Sequence, residues 1–232
     1  MLGTNKEFVT DATLEGAAEF VGMRYAEEYG LAYGPYEALV EEYDGAGPFR
    51  RLELAPYRYG ARYVRQRVDS PRNLTAVYDD PPRTAEQVVH GYAPDEEAPK
   101  SLSVSVEGAN SSWAWSDSDV QGELFLRIAL GAELDDDRAA RAAEGWGADR
   151  LLTLERENET GYAWVFRWDD ADVADEFRTA FEQYRESRAD GSDAVFRTVD
   201  VSDATVVVFA GDPAFVGNAS ASGDTADVTL AP

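Results

Sequence analysis

The spacing of apolar residues changes character partway along this chain, and the change falls on a Pro-rich acidic stretch, Ala93–Lys100 (APDEEAPK). Before it, apolar side chains recur at intervals of three and four residues. After it, stretches of strict alternation appear among the helical ones. A helical repeat does not line one face of a strand, so the two halves are expected to fold differently. Residues 1–98 read as a helical lobe and 99–215 as an α+β domain with an antiparallel sheet, resembling an α/β sandwich. The polar end, 216–232 (GNASASGDTADVTLAP with its preceding Val216), reads as a flexible tail.

In the first half, residues 11–29 predict an amphipathic helix. Asp11 is its cap, Leu14, Ala18, Val21, Tyr25 and Tyr29 form its apolar stripe, and Gly30 is its stop. Pro35 opens PYEALVEEY, GAGP interrupts the chain at 45–48, and a further helix is expected at about 57–68 with Tyr59, Tyr63 and Val64. Thr84 and Gln87 have the spacing of a capping box, and Gly91 ends the short helix they start.

In the second half, SLSVSVE alternates as a strand. Ser118 and Gln121 predict the start of a helix reaching about 130, with Val120, Leu124, Phe125 and Ile128 inward, followed by a shorter helix in DDDRAARAAEG. RLLTLERE and GYAWVFRW, joined by NETG, predict a hairpin. The amphipathic segment 169–187 separates it from a second hairpin that turns at Ser202 and Asp203.

Charge narrows the environment. Forty-five acids against 21 bases leave −24, and only Lys6 and Lys100 among the bases are lysines. Acidity spread along a chain with 12% aromatic residues is the pattern of a folded protein adapted to salt. The same field repels nucleic acid, which is excluded as a partner. No cysteine is present, which removes disulfides, thiolate zinc sites and cysteine nucleophiles. No apolar run approaches the roughly 18 residues of a membrane span, so membrane insertion by this chain is not expected. Of five asparagines, four (Asn73, Asn110, Asn158 and Asn218) head N-x-[ST] triplets. They are expected to be glycan acceptors of an exported protein at the cell surface, whose secretion signal is missing from this chain.

Several groups are candidates for chemistry. His90, the single histidine, has two readings: a helix-terminal residue favoured by the helix dipole before Gly91, or part of a larger site. Asp117, Asp119 and Gln121 followed by Gly122 imitate a calcium loop, but its twelfth position is Ile128 where a glutamate is needed, and a helix start explains the segment better. Seven arginines lie between 50 and 72; of these Arg58, Arg62 and Arg65 are candidate anion ligands, against a structural reading in which they pair with acids such as Glu41 and Glu42. Trp113 and Trp115 suit sugar stacking or sheet packing. GWGAD (145–149) lacks a nucleotide-binding pattern.

Taken together, TLEGAAEFVGMRY, PFRRLELAPYRYGARYV, YDDPPRTAEQVVHGY, GELFLRIAL, AAEGWGADRLLTL and FRWDDADVADEF resemble exported bacterial and archaeal proteins related to gluzincin-type zinc metallopeptidases, including surface proteins of halophilic archaea. The resemblance runs through roughly residues 11–185. It implies that Glu15 in LEGAA corresponds to the third zinc ligand, and that His90 faces the cleft, where an imidazole supports a developing oxyanion.

The chain departs from that pattern because it contains no His-Glu-x-x-His. The expectation is a metallopeptidase-related scaffold, catalytically inactive as this chain and holding no cofactor by itself. One alternative is the C-terminal part of a zinc endopeptidase, with Glu15 binding zinc once an upstream His-Glu-x-x-His segment is supplied. The other is a surface binding or structural module. Expected partners are an upstream segment of the same protein or cell-surface components.

Overall fold

The computed structural model describes residues 5–107, 112–189 and 194–232, so Asn110 lies outside the described residues. The chain forms two units, one of Met1–Ala98 with Gly122–Ala132, the other of Pro99–Gln121 with Glu133–Pro232.

In the first unit, helices α1 (Asn5–Tyr29), α2 (Tyr36–Asp44) and α3 (Pro48–Arg67) are followed by a 3-10 turn (Pro71–Asn73), α4 (Thr75–Asp79) and α5 (Ala85–His90). Helix α3 is much longer than the predicted 57–68, because Pro48 occupies its first turn and the helix accommodates Pro56 internally. The capping box forms as predicted: Thr84 accepts from the Gln87 N–H, and Gly91 ends α5 with φ of 76°.

Helices α1 and α3 cross where Gly16 meets Gly60, and a Cβ on either glycine would run into the other helix's backbone at Gly60 or Ala12. That crossing decides which face of α1 is buried. Phe8, Val9, Ala12, Gly16, Ala17 and Phe20 go inward. The predicted stripe does not: Leu14 is 55% exposed, Tyr25 55% and Tyr29 59%. Close helix approach selects small residues at the contact, so the face with the larger side chains lost to the face with Gly16. The core continues through Tyr43, Leu54, Tyr59, Tyr63, Val64, Val77 and Val88.

The first unit also takes a helix from the middle of the second half, α6 (Gly122–Leu130). Leu124 and Ile128 of α6 join the helical core. Residues 122–132, which the sequence places in the second domain, belong to the first unit. It also corrects the predicted helix start: Ser118 lies in a strand, and Gly122, with φ of 81°, makes the turn into α6.

The second unit is α+β. Strands β2 (Ala114–Asp119), β3 (Trp146–Arg156), β4 (Glu159–Trp168), β5 (Val195–Ser202) and β6 (Thr205–Gly211) form an antiparallel sheet in the order β2-β3-β4-β6-β5. Both predicted hairpins are present, β3–β4 and β5–β6. Helix α7 (Asp136–Ala143) starts on the Asp135 cap, and α8 (Ala171–Ala189) buries Ala174, Phe177, Ala180 and Phe181. The ring of Phe177 lies 5.0 Å from Phe166 and 4.8 Å from Trp168, on one face of the sheet.

The other face packs against a smaller sheet, β1 (Ser103–Val106), β8 (Asp227–Ala231) and β7 (Ser220–Gly223), together with α9 (Pro213–Asn218). Residues 216–232 are therefore not a flexible tail. Val228 and Leu230 are buried against β1, and Phe215 and Val216 of α9 enter the same core. Two alternate apolar residues on β8, the middle strand of this small sheet, are enough to line its buried face.

Candidate functional site

Helix α5 ends at His90, and α6 begins one residue before Glu123. The His90 Nε2 lies 3.0 and 3.1 Å from the two Glu123 carboxylate oxygens. The Glu123 side chain has no exposure, and that of His90 is 21% exposed. The imidazole also stacks on Tyr92, with ring centroids 5.3 Å apart, and Arg127 stands one turn along α6 at 4.0 Å from Glu123. Gln87 anchors the start of the connector: its Nε2 donates to the carbonyls of Pro94 and Glu96, while its Oε1 accepts from the Arg83 and Thr84 amides. Asn5 ties α1 to the same region by accepting from the Ala85 N–H at 2.7 Å.

Glu15, half-buried on α1, lies near the phenol of Tyr57 on α3, and its charge raises the Tyr57 pKa. One turn along, Glu19 accepts from Tyr33 at 3.0 Å, and Gly22 leaves room for the Tyr33 ring. Burial and this hydrogen bond both raise the Tyr33 pKa. Each carboxylate in LEGAAEFVG thus has a tyrosine as its neighbour. Among the described residues no group of three His, Asp or Glu side chains converges on a metal position. Among the described residues, one imidazole and Glu15 do not make up a zinc ligand set.

The arginines divide. Arg58 pairs with Asp44 at 2.6 Å and lies over the rings of Tyr43 and Tyr59. Arg62 donates to the Val89 carbonyl and lies over Tyr59. Arg50 pairs with Glu42, one of the acids expected to serve. These cations bind helix ends and aromatic faces of their own unit. Arg65 differs: it lies 5.1 Å from the Tyr36 ring centroid and has no ion pair among the described residues. It borders a cavity of about 980 Å³ between α1, the 30–35 connection, α2 and the end of α3, where Phe20, Met23, Tyr36 and Val68 supply the apolar and aromatic wall. Glu37 and Asp69 also line it, as does an Arg24–Glu27 pair closed at 2.7 Å.

In the second unit the chief polar feature is Asp149, only 2% exposed. Its carboxylate accepts from the indole N–H groups of Trp146 and Trp164, at 3.0 and 2.8 Å, and from the Gln121 amide at 3.0 Å. Trp113 is buried against Phe215 with Arg156 over it, whereas Trp115 is 58% exposed. Asp117 and Asp119 each accept from the next backbone amide on strand β2. Asn73, Asn158 and Asn218 are all exposed. Asn73 and Asn218 donate locally, to Asp69 and to the Ala214 carbonyl.

Glu123 and Asp149 were not singled out by sequence. The signal each carries is an acid inside an otherwise apolar run, GELFLRIAL and WGADRLLTL. A family model described as a domain of unknown function, DUF8575, matches residues 112–229, just over half of the chain. The chain belongs to the DUF8575 family. The DUF8575 match contains Asp149, both tryptophans that donate to it, and Glu123 on α6, while Glu15, His90 and the Arg65 cavity precede it. No curated protein and no solved structure matches the chain.

Proposed function

We propose that this chain is a binding scaffold of an exported, salt-adapted protein, related to metallopeptidases in its helical half and catalytically inactive by itself. Its ligand site is the cavity between α1, α2 and α3. The observation that carries this reading is Arg65, a guanidinium on the rim of a cavity about 980 Å³ in size, resting on Tyr36 without a carboxylate partner among the described residues. That volume is in the range of small-molecule sites. A guanidinium presents a planar fork to a carboxylate, and the wall of Phe20, Met23, Tyr36 and Val68 accepts an apolar body. Glu37 and Asp69 disfavour multiply charged anions, which leaves a monocarboxylate with an aromatic or aliphatic body as the ligand class.

The test is titration with benzoate, followed by NMR, for the wild type and Arg65→Gln. Saturable binding weakened at least tenfold in the variant supports the cavity as the site. No binding, or equal binding by the variant, removes it. Stoichiometric zinc accompanied by peptide hydrolysis that Glu15→Gln abolishes would overturn the inactive-scaffold reading in favour of a zinc endopeptidase completed by an upstream segment.

Export is supported by the exposure of Asn73, Asn158 and Asn218. No helix among the described residues is long and apolar enough to cross a membrane. Intact mass from native cells before and after deglycosylation checks this part: an unchanged mass counts against cell-surface glycosylation. Cell-surface components or an upstream segment of the same protein are the partners this reading implies.

A further inference from the structure

The stripe that α1 leaves exposed has the geometry of half a coiled coil. Leu14, Ala18, Val21 and Tyr25 follow one another at intervals of four, three and four residues, the seam spacing that packs one helix against another. The opposite face of α1 is committed to α3 through Gly16 and to the core through Phe8 and Phe20, so this helix carries two apolar faces and the unit covers one. Leu14, Val21, Tyr25 and Tyr29 are each at least 39% exposed, and the rings of Tyr25 and Tyr29 touch at 4.6 Å between centroids. An apolar row of this length in solvent marks an interaction surface.

Charge selects the occupant. Asp11 lies at the N-terminal end of the exposed face and Glu28 at the other, between Tyr25 and Tyr29 in sequence, and both are exposed. The helix as a whole carries Glu7, Asp11, Glu15, Glu19, Glu27 and Glu28 against Lys6 and Arg24, and Arg24 is already paired with Glu27. A second copy fits badly. Parallel self-pairing sets Asp11 on Asp11 and Glu28 on Glu28, antiparallel pairing sets Asp11 near Glu28, and each copy brings −24 of net charge. A helix with lysine or arginine beside its own apolar seam satisfies Asp11 and Glu28, and its cations also meet the faces of Tyr25 and Tyr29.

We infer that the exposed face of α1, Leu14–Ala18–Val21–Tyr25, is a docking surface for a basic amphipathic helix of a partner protein. The surface is separate from the cavity at Arg65, and neither reading depends on the other.

The test uses the full chain and a synthetic peptide of three heptads with Leu at the two seam positions and Lys beside them. The control peptide has the same composition with its leucines moved off the seam. Binding is read by NMR shift changes and by fluorescence anisotropy at low and high salt. The expected result is saturable binding with shifts confined to the neighbourhood of Leu14, Val21 and Tyr25. The shuffled peptide binds at least tenfold more weakly, as does the seam peptide to Val21→Asp. Val21 is exposed, so that variant keeps its fold, and a circular dichroism spectrum checks this. Equal binding of the shuffled peptide means that net charge alone attracts it, and overturns the inference. Equal binding by Val21→Asp does the same. So does a dimer of the chain that Val21→Asp dissociates, because the second copy would then be the occupant.

Discussion

His90 hydrogen-bonds Glu123, whose side chain has no solvent exposure, and so joins the end of α5 to the start of a helix that arrives from beyond two strands of the other unit. The single histidine is thereby a structural partner in this chain, whatever else it serves. Removing it leaves the buried Glu123 carboxyl group with only the more distant Arg127. His90→Ala is expected to cost about 2–3 kcal/mol, and Glu123→Gln to cost much less in the His90→Ala background than alone. A double-mutant cycle by urea unfolding measures the coupling; strictly additive effects would show that the pair contributes nothing.

The donors that Trp146, Trp164 and Gln121 offer Asp149 carry no charge. Replacing it with Asn turns one acceptor oxygen into an amino group facing an indole or backbone N–H, with an expected loss of about 2–3 kcal/mol. Trp164→Phe removes one donor and is expected to cost about 1 kcal/mol. Urea unfolding followed by tryptophan fluorescence reports both, and the order Asp149→Asn above Trp164→Phe is the part that matters.

At the α1–α3 crossing, Gly60→Ala places a methyl group into the Ala12 carbonyl. The helices must separate, at a cost of about 3 kcal/mol, whereas Gly34→Ala, where a Cβ meets nothing within 4 Å, is expected to be near neutral. Thermal unfolding of the two variants distinguishes crowding at the crossing from a general intolerance of alanine.

Tyr43 is buried beside Tyr59, and burial raises its pKa well above the ordinary phenol value, with Tyr59 adding to the rise and Arg58 and Arg51 opposing it. The fold therefore favours the neutral phenol. Its contribution is complete below the unfolded pKa of about 10 and is lost as pH rises above that value. Tyr43→Phe is expected to flatten the fall in stability above about pH 10. An unchanged alkaline limb would assign that fall to other tyrosines.

A net charge of −24 on this chain opposes compaction, and screening relieves it. The melting temperature is expected to rise from about 0.1 M to about 2 M KCl. A flat or falling profile would count against adaptation to salt.

Local signals were enough for much of this fold. Thr84, Gln87 and Gly91 specify a short helix through their own side chains and backbone, and alternation specifies the strands of both hairpins, because these interactions span a few residues. Charge and the absence of cysteine likewise act without reference to the fold. Long-range contacts decided the rest. The face of α1 that is buried depends on Gly16 meeting a glycine in another helix, and an apolar stripe at the correct period cannot reveal that its opposite face packs more closely. Polar residues 220–231 became strands because β1, more than a hundred residues earlier, offers an edge to pair with. Glu123 became the partner of His90 because α6 folds back into the helical unit, a pairing set by three-dimensional packing across 33 residues of chain.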